Sequence, residues 1–412
     1  MKVTLIQPRY HNIWEALGLG YIASYCKKHY EGDLEMNFFQ GHFDDMSTII
    51  NGSRDSDVVG ISCTTPTVKD AIYIARVLKL FRPGITTVIG GYHVSAERKP
   101  IPYFDHAVVG EGEKAFLDIL NGKHSKRRDR VVYGTKLPFS ELPPPDRDLI
   151  RNDRTIDLCE QMTGERIASF QSSRGCPMNC AFCSEICMSG KYNRKTNPIR
   201  TRNASETVCE IQKVQKKYNL TSFKFVDPTF DHSEDHLVNF CIVKRLAKCH
   251  LPWECLIHAN FMTERAMHFL KHSFCNQINI GCESGSPKIL KDVRKGVKIE
   301  KIEKVFKWAK NYGIKTRAFF LLGMPNETIW DIWKTERFIK RANPDVVGFT
   351  MLCPYPGSDF YDPIKFKDVD WSKTDEYCND FWNTKHFTNE QLKKIQKKLT
   401  KKYQKKLCER QK

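Results

Sequence analysis

Between residues 1 and 125 the apolar positions alternate between two kinds of run. "KVTLIQP", "LEMNFF", "DVVGISC", "TTVIGG" and "HAVVGEGE" are short apolar segments rich in Val, Ile and Phe, the pattern of strands. Between them, Trp14 to Tyr30 and Val68 to Phe81 carry apolar residues at helical spacing. Strand and helix in alternation predict an α/β unit built on a doubly wound parallel sheet. Ligands of such sheets sit outside the carboxyl ends of the strands. The residues that follow each strand are therefore the candidates for binding: Gln7 and Pro8, Thr64 and Thr65 of "CTTPT", Gly90, Gly91 and His93 of "GGYH", and Gly110, Glu111 and Gly112 of "GEGE". Glycine there lets backbone approach a ligand closely.

Residues 126–165 break the pattern. Basic residues crowd "KHSKRRDR", and Pro143, Pro144 and Pro145 cannot continue a helix or a central strand, so a basic, proline-rich linker is expected. A second series runs over residues 166–358. "RIASFQSS", "SFKFVDP", "WECLIHA", "QINIGC", "KTRAFFLLG" and "VVGFTMLCP" read as strands, with helical patterns around 205–218, 234–248, 263–271, 299–312 and 328–341. Six strands in that arrangement predict a partial (β/α)6 barrel with its active site at the strand carboxyl ends. Residues 359–412 form an extension. Its Trp371, Tyr377, Phe381 and Trp382 could wall a substrate site, although core packing is the plainer role. In its tail, "TNEQLKKIQKKLTKKYQKKLCERQK", Leu392, Ile395, Leu399, Tyr403 and Leu407 recur at helical spacing. Thr388 with Gln391 makes a capping-box start, so the tail predicts an amphipathic helix with a solvated lysine face.

Charge changes this picture little. The chain carries 66 Lys and Arg against 48 Asp and Glu, a net +18 at pH 7. By itself that favours an acidic partner. Much of the excess lies in the terminal helix, so nucleic acid is not expected as a partner. The N-terminus turns polar by Gln7 and no stretch approaches eighteen apolar residues, so neither an export signal nor a membrane span is expected. The expected location is cytoplasmic. Sixteen cysteines in such a chain read as metal ligands and buried thiols, Cys26, Cys241 and Cys408 among the latter.

Four of the sixteen, Cys176, Cys180, Cys183 and Cys187, fall within "SSRGCPMNCAFCSEIC". Structural zinc sites usually join two ligand pairs far apart in sequence, and this group has no second pair. A closed four-thiolate [4Fe-4S] cluster would need Cys187 and fits ferredoxin spacing only loosely. Three thiolates from Cys176, Cys180 and Cys183 would leave one iron open for chemistry, as catalytic metal centres do.

Cys-x3-Cys-x2-Cys, with Phe182 before the third cysteine and "SRGCP" leading in, resembles the signature of radical S-adenosylmethionine (SAM) enzymes. The resemblance implies an open cluster on Cys176, Cys180 and Cys183 whose fourth iron position chelates SAM, with Cys187 a bystander. "INIGCESGS" is similar to the family segment that binds the SAM ribose, which points to Glu283 followed by Ser284. "FKFVDPTF" resembles the strand that offers an acidic residue to the SAM amino group, here Asp227, with Pro228 where relatives carry a second aspartate. "LLGMPNET", with Gly323, and "CPYPGSDFY" resemble the last strand-end loops. After "WECLIHAN" relatives often present an arginine; this chain has His258 and Asn260, with Arg317 as the expected substitute.

"EALGLGYIASYCKK", "GISCTTPTVKDA", "VIGGYHVSA" and "VVGEGEKAF" resemble the Rossmann or flavodoxin-like cobalamin-binding domain that precedes the class B radical SAM methyltransferases. The Asp-x-His-x-x-Gly motif that supplies a cobalt-ligating histidine elsewhere is absent, which leaves His93 as the candidate for the lower corrin face. The resemblance implies three cofactors: a [4Fe-4S] cluster, SAM and cobalamin. A 5′-deoxyadenosyl radical would take hydrogen from an unactivated carbon of a small-molecule or peptide substrate, and the carbon would capture methyl from methylcobalamin. An electron donor such as flavodoxin or ferredoxin is implied as partner. The alternatives are a cyclase, rearrangement or oxidation that uses cobalamin without methylation, and a closed-cluster electron-transfer protein.

Overall fold

The computed structural model describes residues 1–189, 199–375, 377 and 379–410. Strands β1 (Lys2–Gln7), β2 (Glu35–Gln40), β3 (Val58–Ser62), β4 (Thr86–Gly90), β5 (His106–Val109) and β6 (Val131–Tyr133) form one parallel sheet in the order β2-β1-β3-β4-β5-β6. Helices α1 (Leu17–His29), α2 (Met46–Ser53), α3 (Val68–Phe81), α4 (Tyr92–Glu97) and α5 (Glu113–Leu120) link the first five strands and follow the last of them. Successive residues of a strand serve opposite faces. Leu5, Val88 and Val108 pack with Leu19 of α1 and Phe116 of α5, while Ile6, Ile61 and Ile89 pack with Ile74 and Leu78 of α3. Two apolar faces explain why these strands read as unbroken apolar runs. The strand order reverses direction between β1 and β3, which places the ligand crevice at their carboxyl ends.

The expected linker is a correction. Val131–Tyr133 extends the first sheet, and a helix, α6 (Asn152–Thr163), occupies its second half. The proline run lies along α1: Asp146 N donates to Gly20 O at 3.0 Å, and Lys27 pairs with Asp146 at 2.7 Å. Leu137, Phe139, Leu142 and Ile150 are buried, but at irregular spacing, so periodicity does not register them.

The second sheet contains all six expected strands: β7 (Ile167–Phe170), then, past the two-residue strands β8 (Ser173–Arg174) and β9 (Arg200–Thr201), β10 (Ser222–Phe225), β11 (Trp253–Ile257), β12 (Cys275–Glu283), β13 (Lys315–Leu322) and β14 (Val346–Met351). These six are parallel, in the order β14-β13-β12-β11-β10-β7, the arc of a partial barrel. Helices α7 (Ala204–Tyr218), α8 (Glu234–Leu246), α9 (Glu264–His272), α10 (Pro287–Asp292), α11 (Ile299–Asn311) and α12 (Ile329–Ala342) cover its outside. A buried aromatic set fills one end of the layer between them: Phe223 stacks on Trp253 at 5.9 Å and Phe225 on Phe230 at 4.6 Å.

The tail forms α13 (Asn389–Arg410), with the expected capping box: Gln391 Oε1 accepts from Thr388 N at 2.8 Å and Thr388 Oγ1 from Gln391 N at 3.3 Å. Leu392, Leu399 and Tyr403 are buried, while the side chain of Leu407 lies outside the described residues. Before α13, Trp371, Phe381 and Trp382 pack around Phe366 and cover Met324 and Met351, so they are core residues; Tyr377 is exposed. No helix among the described residues is long and apolar enough to cross a membrane.

Gly357 locks the last barrel loop against the cysteine-rich segment. Its φ is +92°, and an added Cβ would overlap Cys187 Sγ and lie 3.3 Å from Ala96 of α4. Gly357→Ala is expected to destabilise the chain by about 2–4 kcal/mol, the sum of left-handed strain and overpacking. Adding Cys187→Ala should restore the packing part and leave the strain, a split that thermal unfolding of the three variants measures.

Candidate active site

The cysteine loop leaves β8 through Gly175, whose φ of +96° turns the chain sharply. Cys183 N donates to Cys180 O at 3.2 Å, which closes a tight turn between two of the thiols. The charges of Cys176 and Cys180 both act on Cys183, so the three are electrostatic neighbours. Cys176 Sγ also lies 3.4 Å from Thr229 Oγ1. Among the described residues no three His, Cys, Asp or Glu side chains converge as they would around a single metal ion. Three thiols on one loop are the donor type that iron–sulfur clusters take. Cys187 is fully buried against Gly357.

The segment after α10 clamps this loop. Ala181 N donates to Val293 O at 3.0 Å, Arg294 Nε to Asn179 O at 3.1 Å, and Asp359 N to Ala181 O at 2.8 Å. Arg294 also pairs with Asp359. Phe182 packs beside Ala181 on the apolar group of Ile289, Val293 and Met324. Glu283, at the end of β12, accepts from Lys295 Nζ at 2.9 Å. Gly281 makes room for that pair, since a Cβ there would lie 2.7 Å from Glu283 Oε1 and 2.9 Å from Lys295 Nζ. Burial pushes the Cys180 thiol up to about 11, with Lys295 pulling it down and Glu283 pushing it up. The ion pair therefore faces the cysteine loop.

Other expected residues have internal partners. Asp227 is buried, and its carboxylate accepts from Ser172 N at 3.1 Å, Ser172 Oγ at 3.0 Å and Ser173 Oγ at 2.5 Å, which fixes the approach to β8. Burial raises its pKa to about 6. Ser284 is buried within 3.3 Å of Thr335 Oγ1 and accepts from Ser286 N. Gly323 donates to Glu327 and accepts from Trp382 Nε1 at 2.8 Å. Arg317 does not replace the missing arginine. It is the third residue of β13, some 16 Å short of the carboxyl end at the strand rise of about 3.3 Å per residue.

Asp231, in the loop after β10, was not expected. Its Oδ1 accepts from His258 N at 2.8 Å, while Oδ2 is a buried oxygen with no hydrogen-bond partner. Burial raises its carboxyl to about 7. An unfolded aspartate titrates near 4, so the acid form's preference for the fold is complete below that pH and is lost as pH rises through 7. Between pH 5 and 8 the wild type should lose about 3 kcal/mol more unfolding free energy than Asp231→Asn. Urea unfolding at both pH values tests this, and parallel profiles would sink it.

At the carboxyl ends of the first sheet lies a cavity of about 610 Å³. Its floor is apolar, from Leu5, Val88, Val108 and Phe116; Gly90, Gly91, Gly110 and Gly112 contribute backbone to its walls, and Thr64 and Glu111 also line it. Gly91, at φ +101°, presses on the Cys63 carbonyl and tolerates no side chain. Thr65 and His93 do not line the cavity. They bond to each other, His93 Nδ1 to Thr65 Oγ1 at 3.1 Å, and burial lowers the His93 pKa to about 4. The residue expected at the lower corrin face thus has Nδ1 engaged by Thr65. An apolar floor with glycine walls fits a large, flat organic cofactor.

Sequence reasoning missed the residues that join the two halves. Arg174, two positions before Cys176, reaches Glu111 at 3.1 Å and Glu113 at 2.8 Å, and Arg200 pairs with Glu111 as well. Tyr92 Oη donates to Glu185 Oε2 at 2.6 Å across the same cavity. The "SRGCP" lead-in was the available signal for Arg174.

Comparison with known proteins agrees with this division. Residues 170–339 match the radical SAM superfamily and residues 5–120 the B12 binding domain. An uncharacterized methyltransferase, PH0819, of Pyrococcus horikoshii is 26% identical over 407 residues, covering 93% of this chain and 86% of that one. The anaerobic magnesium-protoporphyrin IX monomethyl ester cyclase of Rubrivivax gelatinosus is 25% identical, over 88% of this chain and 70% of its own. The solved structure of the radical SAM methyltransferase TsrM from Kitasatospora setae, with cobalamin and a [4Fe-4S] cluster bound, superposes with a TM-score of 0.69 at 17% identity, over 87% of this chain and 73% of that one. A B12 binding domain ahead of a three-cysteine barrel makes the chain a member of the cobalamin-binding-domain-containing radical SAM enzymes.

Proposed function

We propose that the chain methylates an unactivated carbon of a small-molecule or peptide substrate in a cobalamin-dependent radical SAM reaction. One observation carries this reading: the cysteine loop and the glycine-walled cavity share one space. Gly175 and Glu185, which flank the loop, line the same cavity as Gly90, Gly91 and Gly110. When bound, the cluster supplies the electron that splits SAM into methionine and a 5′-deoxyadenosyl radical, and the corrinoid supplies the methyl group.

The protein's own part is placement. Cys176, Cys180 and Cys183 would hold the cluster and leave one iron open. Glu283, fixed by Lys295, is the carboxylate assigned to the SAM ribose, because its oxygens can accept from hydroxyls. Asp227 is assigned to shaping the approach to β8, since its oxygens are taken up by Ser172 and Ser173. The apolar floor excludes water from the space between the sites. An electron donor such as flavodoxin or ferredoxin and a cytoplasmic location complete the proposal. The cyclase name of one relative favours a second reading, ring closure with cobalamin and no methyl transfer.

Anaerobic reconstitution with iron and sulfide, addition of hydroxocobalamin, and desalting test the proposal. About four irons and one cobalt per chain are expected, with 5′-deoxyadenosine formed once SAM and dithionite are added. Iron with SAM cleavage but no cobalt overturns the corrinoid part. Iron without SAM cleavage leaves an electron-transfer protein.

A further inference from the structure

Helix α1 carries in its first turn a residue that helical structure disfavours. Gly18 lies in the first turn, and glycine is the poorest helix former after proline because it has the most backbone freedom to lose. Two nearby glycines have packing reasons. A Cβ on Gly20 would sit 3.0 Å from Pro145 Cβ and 3.3 Å from Ile150 Cδ1, and one on Gly60, in the cavity floor, 2.8 Å from Phe116 and 3.0 Å from Leu5. Gly18 has no such reason. An added Cβ meets no atom within 4 Å, and the backbone is not left-handed there. Yet the residue is exposed and lines the cavity with Trp14 on one side of it in sequence and Ile22 on the other.

We infer that Gly18 determines ligand size: it keeps open the part of the cavity through which a corrin-sized group must fit. This inference rests on the corrinoid reading above. A side chain at position 18 would enter free space, so the fold tolerates it and even gains helix propensity. The ligand would meet the intruding atoms instead. Stability and affinity therefore move in opposite directions, which a packing glycine such as Gly60 cannot do.

The full-length chain with its cluster reconstituted provides the test, as wild type, Gly18→Ala and Gly18→Leu. Thermal unfolding, iron content and titration with hydroxocobalamin are read for each. Melting temperatures at or above wild type and unchanged iron are expected. Cobalamin affinity should fall a few-fold in Gly18→Ala and at least roughly tenfold in Gly18→Leu, the effect of overpacking a filled site. Wild-type affinity in Gly18→Leu overturns this inference alone. So does a melting temperature well below wild type in Gly18→Ala, which would reveal a packing role. A wild-type chain that binds no cobalamin overturns the corrinoid reading, and this inference with it.

Discussion

Cys183→Ala, reconstituted without oxygen, is expected to hold under roughly a tenth of the wild-type iron and to form no 5′-deoxyadenosine, because losing one of three thiolate ligands removes much of the binding free energy. Cys187→Ala should keep both iron and SAM cleavage. The two thiols are only four residues apart, so the contrast separates an open cluster from a closed one. Cys183 follows the tight turn from Cys180 and feels the charges of Cys176 and Cys180. Cys187 sits on a short helical turn, Glu185–Ser189, with its sulfur packed where Gly357 passes. Its truncation leaves a small void and should cost about 1 kcal/mol. Chemical iron analysis and the amount of 5′-deoxyadenosine decide between the two readings. If Cys187→Ala lost its iron as fully as Cys183→Ala, four thiolates would close the cluster, no iron would be open to SAM, and the proposed chemistry would fail.

Both sheets were legible in outline because most of their strands are short segments rich in Val, Ile and Phe that alternate with helical patterns. Helix α3 has the bounds expected from its pattern, Val68–Phe81. What escaped was short or irregular. Strand β6 has three residues and β8 and β9 two each, below the length at which alternation can register. The site divides in the same way. Three cysteines on one loop announce themselves by spacing, since their geometry is local. Lys295 and Arg294 are two among 66 basic residues, and nothing in their neighbours marks them; Arg174 had only its place in "SRGCP" as a signal. Their partners are set by topology: Arg174 meets Glu113 across 61 positions and Arg294 meets Asn179 across 115. His93 shows the converse. Its place after Gly90 and Gly91 marks it in the sequence, but its Nδ1 partner, Thr65, lies on another loop.

Arg174→Met is expected to cost about 3–5 kcal/mol, the effect of removing one partner from a buried charge cluster. The Arg174 side chain is only 14% exposed and that of Glu113 4%. Its guanidinium gives Nε–H to Gln171 Oε1 at 3.0 Å and one nitrogen to each of Glu111 and Glu113, and it lies over the rings of Tyr21 at 5.0 Å and Phe139 at 5.5 Å. Methionine fills the space between the rings but leaves Glu113 buried without that partner. Arg174→Lys keeps the charge and loses the planar fork, so it should fall between wild type and Arg174→Met. The double variant Arg174→Met/Glu113→Gln should regain much of the loss, since no uncompensated carboxylate then stays at position 113. Denaturant unfolding with a common slope measures all four proteins. A loss under about 1 kcal/mol in Arg174→Met would mean that the cluster behaves as a surface ion pair. The consequence reaches the chemistry because of where Arg174 stands. It is two residues before Cys176, while Glu111 lies in the loop that carries Gly110 and Gly112 of the cavity wall and Glu113 opens α5 just after it. The same ion cluster thus ties the cysteine loop to the cofactor cavity, and Arg174→Met should lower cobalt and iron retention together, whereas Gly18→Leu lowers cobalt alone.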